Sequence, residues 1–377
     1  MAGTNIARLE LAMKRIRNVL RTHGAASARI LENKISDAGP TNQRIDPHLL
    51  TKARVLLENV NDVEVVKDKK GTPWYYLRGI PAEVLEPRLK ELQALHEETQ
   101  SKQFTLRMGQ ALELAVSKAL LSQKHFHTLG HFTDMKDHDD STLYKKEEPP
   151  SNISGKTCEG KLDFVLFSGT AGLAGIEVKN VREWVYSQSD EVIQMVKKCC
   201  ALDAVPVLIA RRYSYEAFSI LTECGVIVHQ MYNQRYANHD ADLANRVRDK
   251  RLLGYHDVRV GNDADERLLK FVHVNLPLLM DGARAKFDEH RELLDEYVNS
   301  DMGTRSLSPR SEGGITRNGN TRIMRDLGTM NRITSRAMTT SDLYVFSSSF
   351  PSQVSHVNAS QTENLDRAAR RPDVQQG

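Results

Sequence analysis

Cysteine is scarce in this chain, and the few present form no pattern. Cys158, Cys199, Cys200 and Cys224 make neither a CxxC pair nor a disulfide framework. Their spacing excludes a cysteine-built zinc site and a disulfide-stapled fold, and it implies reduced thiols. Long apolar runs are missing as well: none approaches the roughly 20 residues that a membrane helix needs. The opening residues, MAGTNIARLE, lack the apolar segment of a secretory signal, so a cytoplasmic protein is expected. Nor is there an excess of one charge. With 52 Lys and Arg against 49 Asp and Glu the net charge is +3. Any argument for nucleic acid must therefore rest on local patches. No internal repeat is found.

What is present suits an ordinary soluble chain, 40% hydrophobic and 27% charged, and at 377 residues long enough for two or three domains. Ile6, Leu9, Met13, Ile16 and Leu20 recur at helical spacing over 5–21. A second short helix is expected over about 25–35, carrying Ile30, Leu31 and Ile35. Asp46 caps a third, with Pro47 at its first position and a stripe from Leu49 to Val60. VEVVKDKKGTPWYYL then reads as two strands around a turn at Asp68–Gly71.

Three helices and a hairpin resemble a winged-helix domain over residues 1–80. Between residues 5 and 80 Lys and Arg outnumber Asp and Glu, 14 to 8. The resemblance implies DNA contacts from Thr51, Lys52 and Arg54 on the third helix, and from Lys67, Lys69 and Lys70 on the wing. Such contacts would fall mainly on phosphates. The plainer alternative is a helical interaction module with a lysine-solvated surface.

A charged helical linker is expected over 81–104. FTLRMGQALELAVSKALL follows, placing Glu113 on the same side as Gly109, Leu112, Val116 and Leu120. His125, His127, His131 and His138 lie in an irregular stretch with no cysteine pair, so zinc is not expected there. The densest signal is Lys161–Asn180, KLDFVLFSGTAGLAGIEVKN: two apolar runs flank a Gly/Ser/Thr/Ala turn, the pattern of a buried hairpin. Alternation puts Glu177 and Lys179 on one face and Ile176 and Val178 on the other. Asp163, near the start of the partner strand, is expected beside Glu177. Charged groups on such an apolar hairpin are costly unless paired or bound to a metal.

A helix capped by Ser187 or Ser189 runs to about Leu202, and VPVLIA (205–210) reads as a strand covered on both faces. A helix over Tyr215–Cys224, stopped by Gly225, and a strand VIVHQMY (226–232) complete an α/β core with a mixed sheet. A helical extension is expected over 236–299 and a disordered tail over 300–377.

Asp163, Glu177-Val178-Lys179 and an upstream Glu113 together resemble the PD-(D/E)xK nuclease superfamily over residues 105–235. Its fold is the restriction-endonuclease-like core, shared with archaeal-type Holliday junction resolvases. Leu162 stands where the name-giving pattern has Pro, and the stretch from Glu113 to Asp163 is long. The resemblance implies a metal-dependent endonuclease that hydrolyses DNA phosphodiesters, with Mg²⁺ as cofactor and Mn²⁺ as the alternative ion. Asp163 and Glu177 would ligate the metal, joined by Glu113 and the Val178 carbonyl. Lys179 would act on the attacking water or the transition-state charge. Asn180 and Arg182 would continue from the strand towards the substrate, and Arg182, Arg211 and Arg212 would hold phosphates. Double-strand cutting would call for a homodimer. Restriction, defence and repair all fit, and an RNA substrate stays open. Two alternatives stand: a buried ion-pair network in an unrelated α/β domain, and a catalytically silent DNA-binding regulator or assembly factor on the same fold.

Overall fold

Short polar side chains open the helices by taking amides that have no partner inside the helix. Ser27 accepts from Ile30 N, Asp46 from His48 N, Ser101 from Phe104 N, Ser214 from Ala217 N and Asp265 from Leu268 N. The computed structural model describes residues 2–37, 45–136 and 138–299; the tail expected from 300 lies outside them. The chain is mixed α/β. Among the described residues no helix is long and apolar enough to cross a membrane.

The first part runs α1 (Ala2–His23), β1 (Ala25–Ser27), α2 (Ala28–Ile35), α3 (Pro47–Asn59), β2 (Val63–Lys67), β3 (Pro73–Leu77) and α4 (Ala82–Glu98). Its three strands lie antiparallel in the order β1-β3-β2. Asp68 holds the β2–β3 turn by accepting from Lys70 N and Thr72 N, both at 2.9 Å, and from Trp74 Nε1 at 3.1 Å. Ile16 and Leu20 of α1, Ala53 and Leu57 of α3, Trp74 of β3 and Leu92 and Leu95 of α4 share one buried core. The linker helix thus belongs to this module, its leucines buried in the same core.

The second part begins with α5 (Lys102–Ser122), followed by β4 (His127–Leu129), β5 (His131–Phe132), β6 (Lys146–Glu147), β7 (Asn152–Ile153) and β8 (Lys156–Thr157). It continues with β9 (Phe164–Ser168), β10 (Gly172–Lys179), α6 (Asp190–Leu202), β11 (Ala204–Ala210), α7 (Tyr215–Glu223) and β12 (Ile227–Gln230). Five strands form one sheet in the order β12-β11-β10-β9-β4. β4, β9 and β10 pair antiparallel, whereas β10, β11 and β12 pair parallel through the crossovers that carry α6 and α7. Ile176 and Val178 pack with Leu112, Ala115 and Val116 of α5 on one face of this sheet. On the other face α6 approaches so closely that a Cβ at Gly175 would lie 2.7 Å from Cys199 Sγ.

The remaining elements are β13 (Gln234–Tyr236), α8 (Ala241–Arg248), β14 (Val258–Val260), α9 (Glu266–Lys270), α10 (Leu276–Glu289) and α11 (Arg291–Asn299). A π-helical turn, Phe271–Asn275, joins α9 to α10. This stretch, expected as one helical extension, divides between the two cores. Tyr236, Leu243, Val247, Tyr255 and Val258 complete the core of the first module. Leu268, Phe271, Leu276 and Met280 cover the α5 face of the sheet instead.

Candidate active site

Four side chains singled out by the sequence lie at one end of the central sheet, and two further lysines join them. The β9–β10 ladder ends at the Phe164–Ile176 pair. Beyond it the Asp163 amide still donates to the Ile176 carbonyl at 3.0 Å, so Asp163 and Phe164 both stand against Ile176, as at a bulge. The Val178 amide has lost its strand partner at this point. Asp163 Oδ2 accepts from it at 2.7 Å.

The other Asp163 oxygen turns towards α5. Lys146 Nζ, delivered by β6, lies 3.5 Å from Asp163 Oδ1, 2.6 Å from Glu113 Oε2 and 3.7 Å from Glu148 Oε2. The Lys146 side chain is only 7% exposed, and its ammonium lies 4.8 Å from the Phe164 ring centroid. Burial pulls its pKa down, but Glu113 and Asp163 outweigh burial and leave it above the ordinary lysine value. Glu113 is raised too, which for a carboxyl favours the neutral form. Burial first, then the Asp163 charge, raise it to about 7 against the pull of Lys146.

Glu177 and Lys179 face α6, as alternation along β10 demands. Glu177 Oε1 accepts from Lys179 Nζ at 2.7 Å, and Oε2 from Lys198 Nζ of α6 at 3.4 Å. Burial depresses Lys179, but Glu177 overrides it and holds the ammonium above its ordinary range, with a further contribution from Asp163. The acids therefore divide into two groups across the sheet edge, Glu113 and Asp163 around Lys146, and Glu177 between Lys179 and Lys198. Asp163 and Glu177, expected as ligands of one ion, are each engaged by a lysine here. Among the described residues no group of three or more His, Cys, Asp or Glu side chains is arranged to hold a metal, the histidines of 125–138 included.

The arginines expected to hold phosphates require a correction. Arg211 is 1% exposed, and its guanidinium donates to Asp257 at 2.6 Å, to Asp37 at 3.1 Å and to the Arg182 carbonyl. Arg182, also buried, pairs with Asp257 at 2.6 Å and donates to Asn33. Arg212 is buried 3.5 Å from Asp37. These residues join the first module, through Asn33 and Asp37, to the sheet and to the β13–β14 region. Asn180 is also structural: its amide donates to the Met108 and Arg235 carbonyls and accepts from Arg235 N. Guanidiniums buried against carboxylates in this way are out of reach of a phosphate arriving from solvent.

In the first module Thr51, Lys52, Lys67 and Lys69 are exposed, and Lys70 lies 3.6 Å from Glu97. Arg54 is stacked 4.7 Å over Tyr75 instead of standing clear of the surface. Val55, Leu56, Val60, Val65 and Val66 are exposed on α3, β2 and the turn between them.

No family model, curated protein or solved structure matches the chain. The site rests on its own geometry. Lys146 and Lys198 were not singled out from the sequence. Lys146 sits in a charged run, KKEEPP, that reads as solvated loop, and Lys198 merely flanks the apolar stripe of α6.

Proposed function

We propose that this chain is a metal-dependent phosphodiester hydrolase acting on DNA, its catalytic site formed by Glu113, Asp163, Glu177 and Lys179 at the end of the five-stranded sheet. The observation that carries the reading is that Asp163, linked to Glu113 of α5 through Lys146, takes with its other oxygen the Val178 amide, which lies between Glu177 and Lys179 on β10. The strand order β12-β11-β10-β9-β4, with its antiparallel and parallel halves, supports a restriction-endonuclease-like core. The order α1-β1-α2-α3-β2-β3 supports a winged helix in front of it. Lys52, Lys67 and Lys69 would meet DNA phosphates there.

A hard divalent ion fits the donor set at one point, the Glu113–Asp163 pair, where two carboxylates already converge on a cation. Mg²⁺ or Mn²⁺ bound there would supply a Lewis acid for the charge on the phosphate oxygens. The protein supplies the rest. Glu177 holds Lys179, and Lys179 with Lys198 offers positive charge to an incoming phosphate.

A second reading, a DNA-binding regulator without hydrolysis, is favoured by the lysine partner that each carboxylate already has. Plasmid nicking separates the two. Metal-dependent nicking that disappears in Asp163→Ala and Lys179→Ala supports the hydrolase. Binding without cleavage of duplex, branched and single-stranded DNA by well-folded wild type supports the regulator. Paired cuts in both strands would call for two copies, which sedimentation on DNA would detect.

A further inference from the structure

We propose that Lys146 is the resident cation of this site, and that a divalent ion binds by displacing its ammonium. The inference deepens the reading above and rests on its metal site alone, not on hydrolysis. Lys146 Nζ stands between Glu113 and Asp163, at 2.6 and 3.5 Å, on the one spot where two acids of the site converge. An ion of two charges and an ammonium of one compete there for the same oxygens. The side chain is held in place by its surroundings, with Phe164 and Phe132 ring centroids 4.8 and 5.7 Å from its nitrogen.

A place for the displaced ammonium also exists. Glu148 Oε2 lies 3.7 Å away, and its side chain is 36% exposed. Lys146 can thus turn from the buried pair towards Glu148 and solvent without losing every carboxylate partner. Lys198 cannot serve the same purpose, because it reaches Glu177 from the α6 side and is anchored to the Lys161 carbonyl at 2.7 Å. On this account Lys146 keeps the site closed and neutralised at low cation concentration. Metal affinity is then weakened by the work of moving it.

The test uses the full chain and Mn²⁺ as the probe. In wild type, lysine acylation read by mass spectrometry should find Lys146 protected without Mn²⁺ and labelled several-fold more with saturating Mn²⁺. By calorimetry, Lys146→Met should bind Mn²⁺ about tenfold or more tightly than wild type, since a competing cation has gone. Lys146→Arg retains the competing charge and should show no such gain. Should Lys146→Met fail to fold by circular dichroism, the wild-type labelling decides alone. Labelling that Mn²⁺ leaves unchanged, or a Lys146→Met affinity no tighter than wild type, overturns the proposal; absence of binding by every protein does so too. Nicking measured in parallel keeps the two readings apart. Displacement without cleavage upholds the role of Lys146 and sinks the hydrolase, while cleavage without displacement does the reverse.

Discussion

Replacing Arg211 with Ala separates a structural arginine from a phosphate-holding one. The side chain is 1% exposed and bonds Asp257 at 2.6 Å and Asp37 at 3.1 Å, besides the Val181 and Arg182 carbonyls. Removing one member of a buried charge pair costs about 3–5 kcal/mol, because the partner stays buried and uncompensated. Here both acids keep something. Asp257 retains Arg182 at 2.6 Å, and Asp37 retains Arg212 at 3.5 Å and Trp184 Nε1 at 3.1 Å. The expected loss therefore sits at the low end, about 3 kcal/mol in urea unfolding at pH 7. Acid provides a second arm. Burial pushes Asp257 up, but Arg182 and Arg211 outweigh it and hold the carboxyl at about 2, down from 3.8. A depressed carboxyl adds stability above its unfolded pKa, here about 2 kcal/mol, and loses it as pH falls through the folded value. The gap between wild type and variant should thus narrow between pH 4 and pH 2. A loss below about 1 kcal/mol, with weakened DNA binding, would return Arg211 to the phosphate-binding role and refute the argument from burial.

Other perturbations probe the site and the packing around it. Glu113 titrates at about 7 instead of 4.5, so the folded protein holds its proton more tightly than the unfolded chain does. Stability from this group is greatest below pH 4.5 and falls by roughly 2–3 kcal/mol as pH rises to 7. Glu113→Gln should flatten that part of the curve, and a variant curve parallel to wild type between pH 5 and 8 would contradict the assignment. Gly225→Ala puts a Cβ at φ +79° and 2.4 Å from the Ala283 carbonyl oxygen and Phe287 N. A loss of about 3 kcal/mol or more is expected, read by thermal melting. Lys67→Ala and Lys69→Ala should each lower the salt dependence of DNA binding by about one unit of slope; an unchanged slope would remove the wing from the interface.

Much of the local structure could be read directly from the chain. Asp46-Pro47 opens α3, and the Asp68–Gly71 turn joins β2 to β3, each because a side chain satisfies its own neighbouring amides. Period-two alternation likewise sent Glu177 and Lys179 to one face of β10 and Ile176 and Val178 to the other. These are short-range effects, in which steric fit and hydrogen bonding act within a few residues.

What the sequence could not decide is where long-range partners meet. Lys146 is 33 residues from Glu113 and 17 from Asp163, and no periodicity links an ammonium in a charged run to acids on a helix and at the bend before β9. Arg211 looked like a free phosphate ligand at a strand exit until Asp37, 174 residues away, was folded against it. Asp163 was expected beside Glu177, and nothing in its local sequence foretold that one of its oxygens would take the Val178 amide while the other lies 3.5 Å from Lys146. Residue type and spacing decide which groups carry charge and which strand face holds them. Only the packed chain decides which opposite charge lies within reach, because that depends on distances set by elements far apart in sequence.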